Sequence, residues 1–331
     1  MCTGGPKGRS LRKPVRMPRK AASAPGSPLA PGGPGSSDPF AGERLFVEPG
    51  SPAQATEQEW AQGGRGAEAA QIAKIASQPV AKWFGDWSDG HGSTAGDVGW
   101  WVGQATAAGA LPLLVAYDIP WRDCGQYSSG GAASATAYEQ FITEMAEGIG
   151  ARRAAVIVEP DALSELDCLN GEQQATYYSL LNFAVGELAA NPGTAVYLDA
   201  GNAGWQSAET MASRLSQAGV ARARGFSLNV SNFDTTASET RYGEAISSEL
   251  HEGTHFVIDT SRNGRGPAPE GAWCNPSGRA LGAAPTSATG NPLIDALLWI
   301  KRPGESDGTC NGGPPAGEWW PAYALELASN G

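Results

Sequence analysis

Seven apolar stretches of four to seven residues recur along the chain: Val80–Phe84, Leu111–Tyr117, Ala154–Val158, Ala195–Leu198, Gly225–Asn229, His255–Ile258 and Leu297–Ile300. Each is continuous rather than alternating, the pattern of parallel strands covered on both faces. A shorter strand candidate, Leu45–Val47, precedes them. Helical periodicity fills the intervals, most clearly over Gln173–Ala190, Ala208–Ala218 and Ser238–Leu250. Both an α/β barrel and a doubly wound sheet are built this way. Seven or eight strand-helix units within about 290 residues predict the barrel, as one domain over residues 39–331. Several stretches end in a carboxylate or amide: Asp118, Glu159 and Asp161, Asp199, Asn229 and Asp259. Barrel chemistry sits at that end of the strands.

Residues 1–38 do not share this pattern. They hold seven of the 24 prolines and seven basic residues between Lys7 and Lys20, and they read as a disordered basic, then Pro/Gly/Ala/Ser-rich arm. Removing those seven charges from a net charge of −11 leaves −18 for residues 21–331. An acidic body repels nucleic acid and anionic membrane, so neither is expected as a partner. The longest clear apolar run, Ala110–Tyr117, is far below the roughly 18 residues of a membrane helix. Lys20 is followed by Ala-Ala-Ser-Ala-Pro-Gly, so no apolar export signal is visible after the basic start.

Of the five cysteines, Cys2 lies in the arm and Cys124, Cys168, Cys274 and Cys310 form an even set without a Cys-x-x-Cys pair. Two disulfides, in any of three connectivities, and buried free thiols both fit that count.

His251-Glu-Gly-Thr-His255 matches the H-E-x-x-H pattern of zinc peptidases, which needs both histidines on one continuous helix. Gly253 weakens a helix, Thr254 is β-branched, and Phe256–Ile258 already reads as the next strand. The motif therefore reads as a helix-to-strand turn, and no metal is expected. Gly90-His-Gly92-Ser-Thr-Ala-Gly96 has its third glycine one residue late for a dinucleotide fingerprint and reads as a plain turn. A phosphate-binding G-x-x-x-x-G-K-S/T does not occur in the sequence.

Carboxylates carry more. Asp123 follows the Leu111 strand in Tyr117-Asp-Ile-Pro-Trp-Arg-Asp123-Cys-Gly-Gln-Tyr-Ser-Ser129, and Asp161 ends the next in Val158-Glu-Pro-Asp161. Asp199 ends another strand and Asp307 lies beyond the last. One such aspartate is an ordinary cap or turn residue. Four at one end of successive strands converge, and crowded like charges raise the pKa of at least one member. Eleven tryptophans all lie beyond residue 59, and Trp83, Trp205 and Trp273 fall where loops meet the expected cleft. Flat aromatic faces with carboxylates between them suit a sugar polymer.

At these residues the sequence resembles glycoside hydrolase family 6, the bacterial and fungal cellulases. The blocks are Tyr117–Gly131, Val158–Asp161, Asp199-Ala-Gly201, Asp259–Gly264, Trp273–Arg279 and Trp299–Gly308, in family order over roughly residues 40–331. The resemblance implies a distorted β/α barrel and inverting hydrolysis of internal β-1,4-glucosidic bonds. Asp161 resembles the general acid, and Asp123 the neighbour that raises its pKa and helps to position water. Inversion places water between base and sugar, so the carboxyl groups are expected about 6.5–9.5 Å apart. For the base two positions compete: Asp307, and a water relay near Ser129 towards Asp123. Tyr117 resembles the residue that crowds the distorted sugar. Asp199, Asn202, Asn232, Lys301 and Glu305 match substrate-contacting positions, and Trp83, Trp205 and Trp273 the stacking platforms.

The resemblance further implies disulfides Cys124–Cys168 and Cys274–Cys310, secretion, no cofactor, and a monomer acting on β-1,4-glucan. The sequence departs from the family at Asn202, where His is usual, and at Trp121, where a small residue is usual and where bulk is expected to narrow the Asp123 loop. The short stretches 125–137 and 308–320 leave little for a roof over the cleft, which favours internal cutting over a cellobiohydrolase tunnel. A non-catalytic glucan-binding barrel and the zinc peptidase are the remaining alternatives.

Overall fold

The structure, a computed structural model, describes Met1 and residues 37–87, 90–250 and 253–331. Residues 2–36 of the basic arm, together with His251 and Glu252, lie outside the described residues.

Seven parallel strands form one sheet in chain order: β1 Lys82–Phe84, β2 Leu113–Ala116, β3 Ala154–Val158, β4 Thr194–Asp199, β5 Gly225–Leu228, β6 His255–Asp259 and β7 Ile294–Leu298. The sheet curls until its ends meet. Ala81 N–H donates to the Trp299 carbonyl at 3.0 Å, and the Trp83 indole N–H to the Ile300 carbonyl at 2.9 Å. This is the distorted barrel expected.

Two helices, α1 (Pro52–Gln62) and α2 (Gly66–Ala76), precede β1. Five more fill the successive crossovers from β1 to β6: α3 Thr94–Ala107, α4 Ala135–Ile149, α5 Gly171–Ala189, α6 Ala208–Gln217 and α7 Thr236–Leu250. A long loop joins β6 to β7, and α8 (Pro321–Asn330) closes the chain. The entry points are written locally. Ser93, Ser134 and Ser207 cap α3, α4 and α6 through their hydroxyls, and Asn170 with Gln173 makes a capping box for α5.

Every strand residue from β2 to β5 is buried, and side-chain alternation divides the strand residues between two cores. Leu113, Val115, Ala155, Ile157, Ala195, Tyr197 and Val257 fill the barrel interior. Leu114, Ala116, Val156, Val158, Val196, Leu198, Phe226 and Phe256 pack outward against the helices. A continuous apolar run is what two such faces require.

Two expectations shift, and the turn reading of the H-E-x-x-H pattern holds. Leu45–Val47 contributes a single parallel bridge, Leu45 to Leu111, rather than a strand. The last strand begins three residues earlier than its apolar run, because Asp295 interrupts that run. A register shift opposite Phe256 and Val257 leaves Asp295 unpaired in the ladder, and its carboxylate accepts from Arg224 at 2.7 and 2.8 Å and from Tyr197 Oη at 2.6 Å. The H-E-x-x-H pattern straddles an element boundary: α7 ends at Leu250, Gly253 has φ +94°, and His255 opens β6 with Nδ1 2.9 Å from Asp295. A continuous metal-binding helix is excluded there.

Candidate active site

Because all seven strands run the same way, their C-terminal ends bring Tyr117, Asp161, Ser231 and Lys301 to one mouth. A cleft of about 680 Å³ opens there. Its lining includes Trp83, Tyr117, Asp123, Ser129, Asp161, Trp205, Asn232, Trp273, Lys301, Glu305 and Asp307, eleven residues singled out from sequence.

Asp161 is half-buried, with backbone in the left-handed region at φ +72°. Glu159, one residue before Pro160, is also left-handed at φ +51°. Conformations of this kind cost about 1–3 kcal/mol each and persist where surrounding bonds hold them. Here Asp161 N–H donates to Asp199 Oδ2 at 3.0 Å, and Glu159 accepts from the N–H groups of Asp118 and Ile119 at 3.0–3.1 Å. Asp161 Oδ1 is buried without a hydrogen-bond partner among the described residues. Burial, then the charges of Asp199, Glu165 and Asp123, push the Asp161 carboxyl well above its ordinary range. Asp199 is also raised by burial, to about 7, but takes hydrogen bonds from Asp161 N, Gly201 N and Ser227 Oγ. Of the pair, Asp199 is the better charge holder and Asp161 the proton holder, because donors stabilise the ionised form more than the neutral one.

Asp123 sits on a loop with consecutive left-handed residues, Asp123 at φ +60° and Cys124 at φ +45°. Ser128 N–H donates to Asp123 Oδ2 at 2.6 Å, and the Cys124–Cys168 disulfide straps the loop to the segment after Asp161. Burial raises the Asp123 carboxyl, against the lowering effects of Ser128 and Arg122. Arg122 is buried and ties the loop together, donating to the Ser128 and Tyr117 carbonyls at 2.9 and 3.0 Å and to Asp86 at 2.9 Å. Trp121 does not narrow the cleft. It is left-handed at φ +61°, 47% exposed, and stacks beside Tyr177 outside the cleft lining.

Asp307 is held differently. Both oxygens accept from Arg262 Nη1 at 2.8–2.9 Å, Oδ2 from Asn275 N at 3.0 Å, and Lys301 Nζ stands 3.3 Å from Oδ1. Burial works to raise its pKa, but Arg262, Lys301 and these bonds outweigh burial and hold it below the usual range. The second disulfide, Cys274–Cys310, fastens this side, so both pairings implied by the resemblance are formed. Asp259, at the end of β6, accepts from the N–H groups of Ser231, Ser261 and Lys301 and anchors the chain leaving β7.

Trp205 and Trp273 are 43% and 40% exposed and face open solvent from the cleft walls. Trp83 packs edge-on to Tyr117, ring centres 5.1 Å apart. Asp199 and Asn202 are buried and are not among the cleft-lining residues; Asn202 Oδ1 accepts from Gly204 N–H at 2.9 Å within its own turn. The sequence reading missed Trp87, Arg122, Ser231 and Glu165, all on the cleft wall. Glu165 had a signal, lying one loop turn beyond Asp161; the others are visible only once the loops fold together.

Residues 40–331 match the family model for Glycosyl hydrolases family 6. The chain belongs to glycosyl hydrolases family 6. It is therefore a glycoside hydrolase. Endoglucanase A of Cellulomonas fimi is 47% identical over 81% of the chain, which spans 58% of that relative's length. A probable 1,4-β-D-glucan cellobiohydrolase C of Aspergillus terreus is 33% identical over 68% of the chain and 61% of its own length. Among solved structures, the endoglucanase Cel6 from Mycobacterium tuberculosis, in complex with methyl-cellobiosyl-4-deoxy-4-thio-β-D-cellobioside, is 49% identical. It superposes with a TM-score of 0.83, covering 89% of this chain and 99% of its own. Membership of the family includes both cutting modes.

Proposed function

We propose that the chain is an inverting endo-β-1,4-glucanase with Asp161 as general acid. The observation that carries this is the Asp161 carboxyl: half-buried, crowded by Asp199, Glu165 and Asp123, and with Oδ1 unpartnered among the described residues. Such a group keeps its proton at working pH and delivers it to the leaving glycosidic oxygen. The transition state is oxocarbenium-like, so distortion of the sugar beside Tyr117 helps to reach it.

For the water, Asp307 is a poor base. Its lone pairs are already engaged by Arg262 and Asn275, and its depressed pKa disfavours accepting a proton. Relay past Ser129 towards Asp123 is the favoured route, with Asp307 and Lys301 holding the opposite wall. Asp199, out of the lining, acts by holding the Asp161 backbone and charge; Trp83, Trp205 and Trp273 stack glucosyl rings, with Asn232 and Glu305 beside them.

Exposed platforms and short loops support internal cutting, and the two disulfides support a secreted protein. One contact speaks for the tunnel of a cellobiohydrolase instead: the Tyr127 ring packs on Gly308, so the two loops touch. A steep viscosity fall of carboxymethylcellulose per new reducing end supports the endo mode; cellobiose as sole product refutes it. The acid itself is tested by Asp161→Ala on a soluble β-glucan, where kcat should fall about 10²-fold or more with binding retained. A barrel that only binds glucan would show no turnover in the unaltered protein.

A further inference from the structure

Glu165 lines the cleft and is half-buried. Its N–H donates to the Asp161 carbonyl at 2.9 Å, closing the turn that carries both carboxyl groups. Gln126 Nε2 stands 3.3 Å from Glu165 Oε1, and Cys124 Sγ lies 3.6 Å from the Glu165 carbonyl while bonded to Cys168. The side chain and the main chain of Glu165 are thus both held against the loop after β2. The titratable and charged groups bearing on Asp161 are Asp199 from β4, Glu165 from its own loop, Tyr117 at the end of β2, Asp123 from the loop after β2, and the cation Lys301 from beyond β7. Glu165 in turn faces Asp123 and, from α5, Tyr177. Lys301 is engaged with Asp307.

We propose that Glu165 is a positioning residue for the proton of Asp161: its carboxylate, fixed in the cleft wall, keeps that proton in place on the alkaline side of the working range. The proposal rests on Asp161 being the general acid. Burial and Asp123 push the Glu165 carboxyl up to about 7. Once it ionises, a like charge beside Asp161 disfavours the second ionisation, so the two groups titrate in separate steps. Removing the Glu165 charge lets Asp161 lose its proton at lower pH, and the alkaline limb of activity moves down.

The test compares kcat/KM against pH on a soluble β-glucan for Glu165→Gln, Glu165→Asp and Asp161→Asn. At pH 8, Glu165→Gln should fall about three- to tenfold below the unaltered enzyme while staying within about twofold at pH 5. Glu165→Asp, which retains the charge, should keep the original limb. An equal loss at every pH, an unmoved limb, or the same shift in both Glu165 variants overturns the proposal. Unimpaired turnover by Asp161→Asn overturns the assignment of the acid and the proposal with it. Inactive Asp161→Asn with an unmoved Glu165→Gln limb overturns the proposal alone.

Discussion

Replacing Cys124 and Cys168 together by alanine separates two roles of the strap beside the site. The disulfide closes a loop with a sequence separation of 44. The entropy that such a loop removes from the unfolded chain is about 13 cal/mol/K, or about 4 kcal/mol at 25 °C. Unfolding a domain of this size releases roughly 0.6 kcal/mol/K, so the midpoint should fall by about 6 °C. The native-state role is local. Asp123 and Cys124 hold consecutive left-handed conformations, each costing on the order of 1–2 kcal/mol, and without the covalent strap only hydrogen bonds, such as those of Ser128 N–H and Arg122, oppose relaxation of the loop. Displacing a catalytic group by about 1 Å costs up to about 10²-fold, so kcat on soluble β-glucan should fall tenfold or more at a temperature where the variant is fully folded. Calorimetry and initial rates read the two effects independently. Full activity with the stability lost would refute the positioning role; an unchanged midpoint would refute the chain-entropy reasoning.

Arg262→Leu should cost about 3–5 kcal/mol in denaturant titration, because it leaves the buried Asp307 carboxylate with Lys301 as its remaining countercharge; a loss under about 1 kcal/mol contradicts this. The buried Glu159 carboxyl is pushed up to about 8, chiefly by burial. The native state therefore holds a proton that the unfolded chain releases above the ordinary carboxylate range, and stability attributable to this group declines from about pH 4.5 to about pH 8. Glu159→Gln should flatten that decline, by on the order of 3–5 kcal/mol between the two ends. Parallel pH dependences of the two proteins would refute the assignment.

The barrel was legible because burial on both faces writes itself as uninterrupted apolar runs, such as Ala154–Val158. It blurred where function or a charge cluster intruded. Asp295 hid the start of β7, since a bulged residue turned to meet Arg224 breaks the run that periodicity detects. Asp123, Asp161 and Asp307 could be picked from their places after strands and from the family blocks, but their different states could not. Asp161 and Asp307 are both acids in one cleft; the first faces carboxylates and the second is clasped by Arg262, a residue 45 positions away along the chain. Asp199 sits behind the wall, not on it, because it spends its lone pairs on Asp161, Gly201 and Ser227. Strand-end position carries no information of that kind. Likewise the size of Trp121 predicts a narrowed loop, whereas its positive φ turns it onto Tyr177.

Proton nuclear magnetic resonance of the first-formed reducing ends, recorded before mutarotation during hydrolysis of a soluble cello-oligosaccharide, tests the chemistry most directly. Attack by water from the face opposite the leaving group yields the α-anomer first, with β growing in only as the sugar equilibrates. Initial release of the β-anomer would mean a covalent glycosyl intermediate, and the roles given to Asp161 and Asp123 would have to be abandoned.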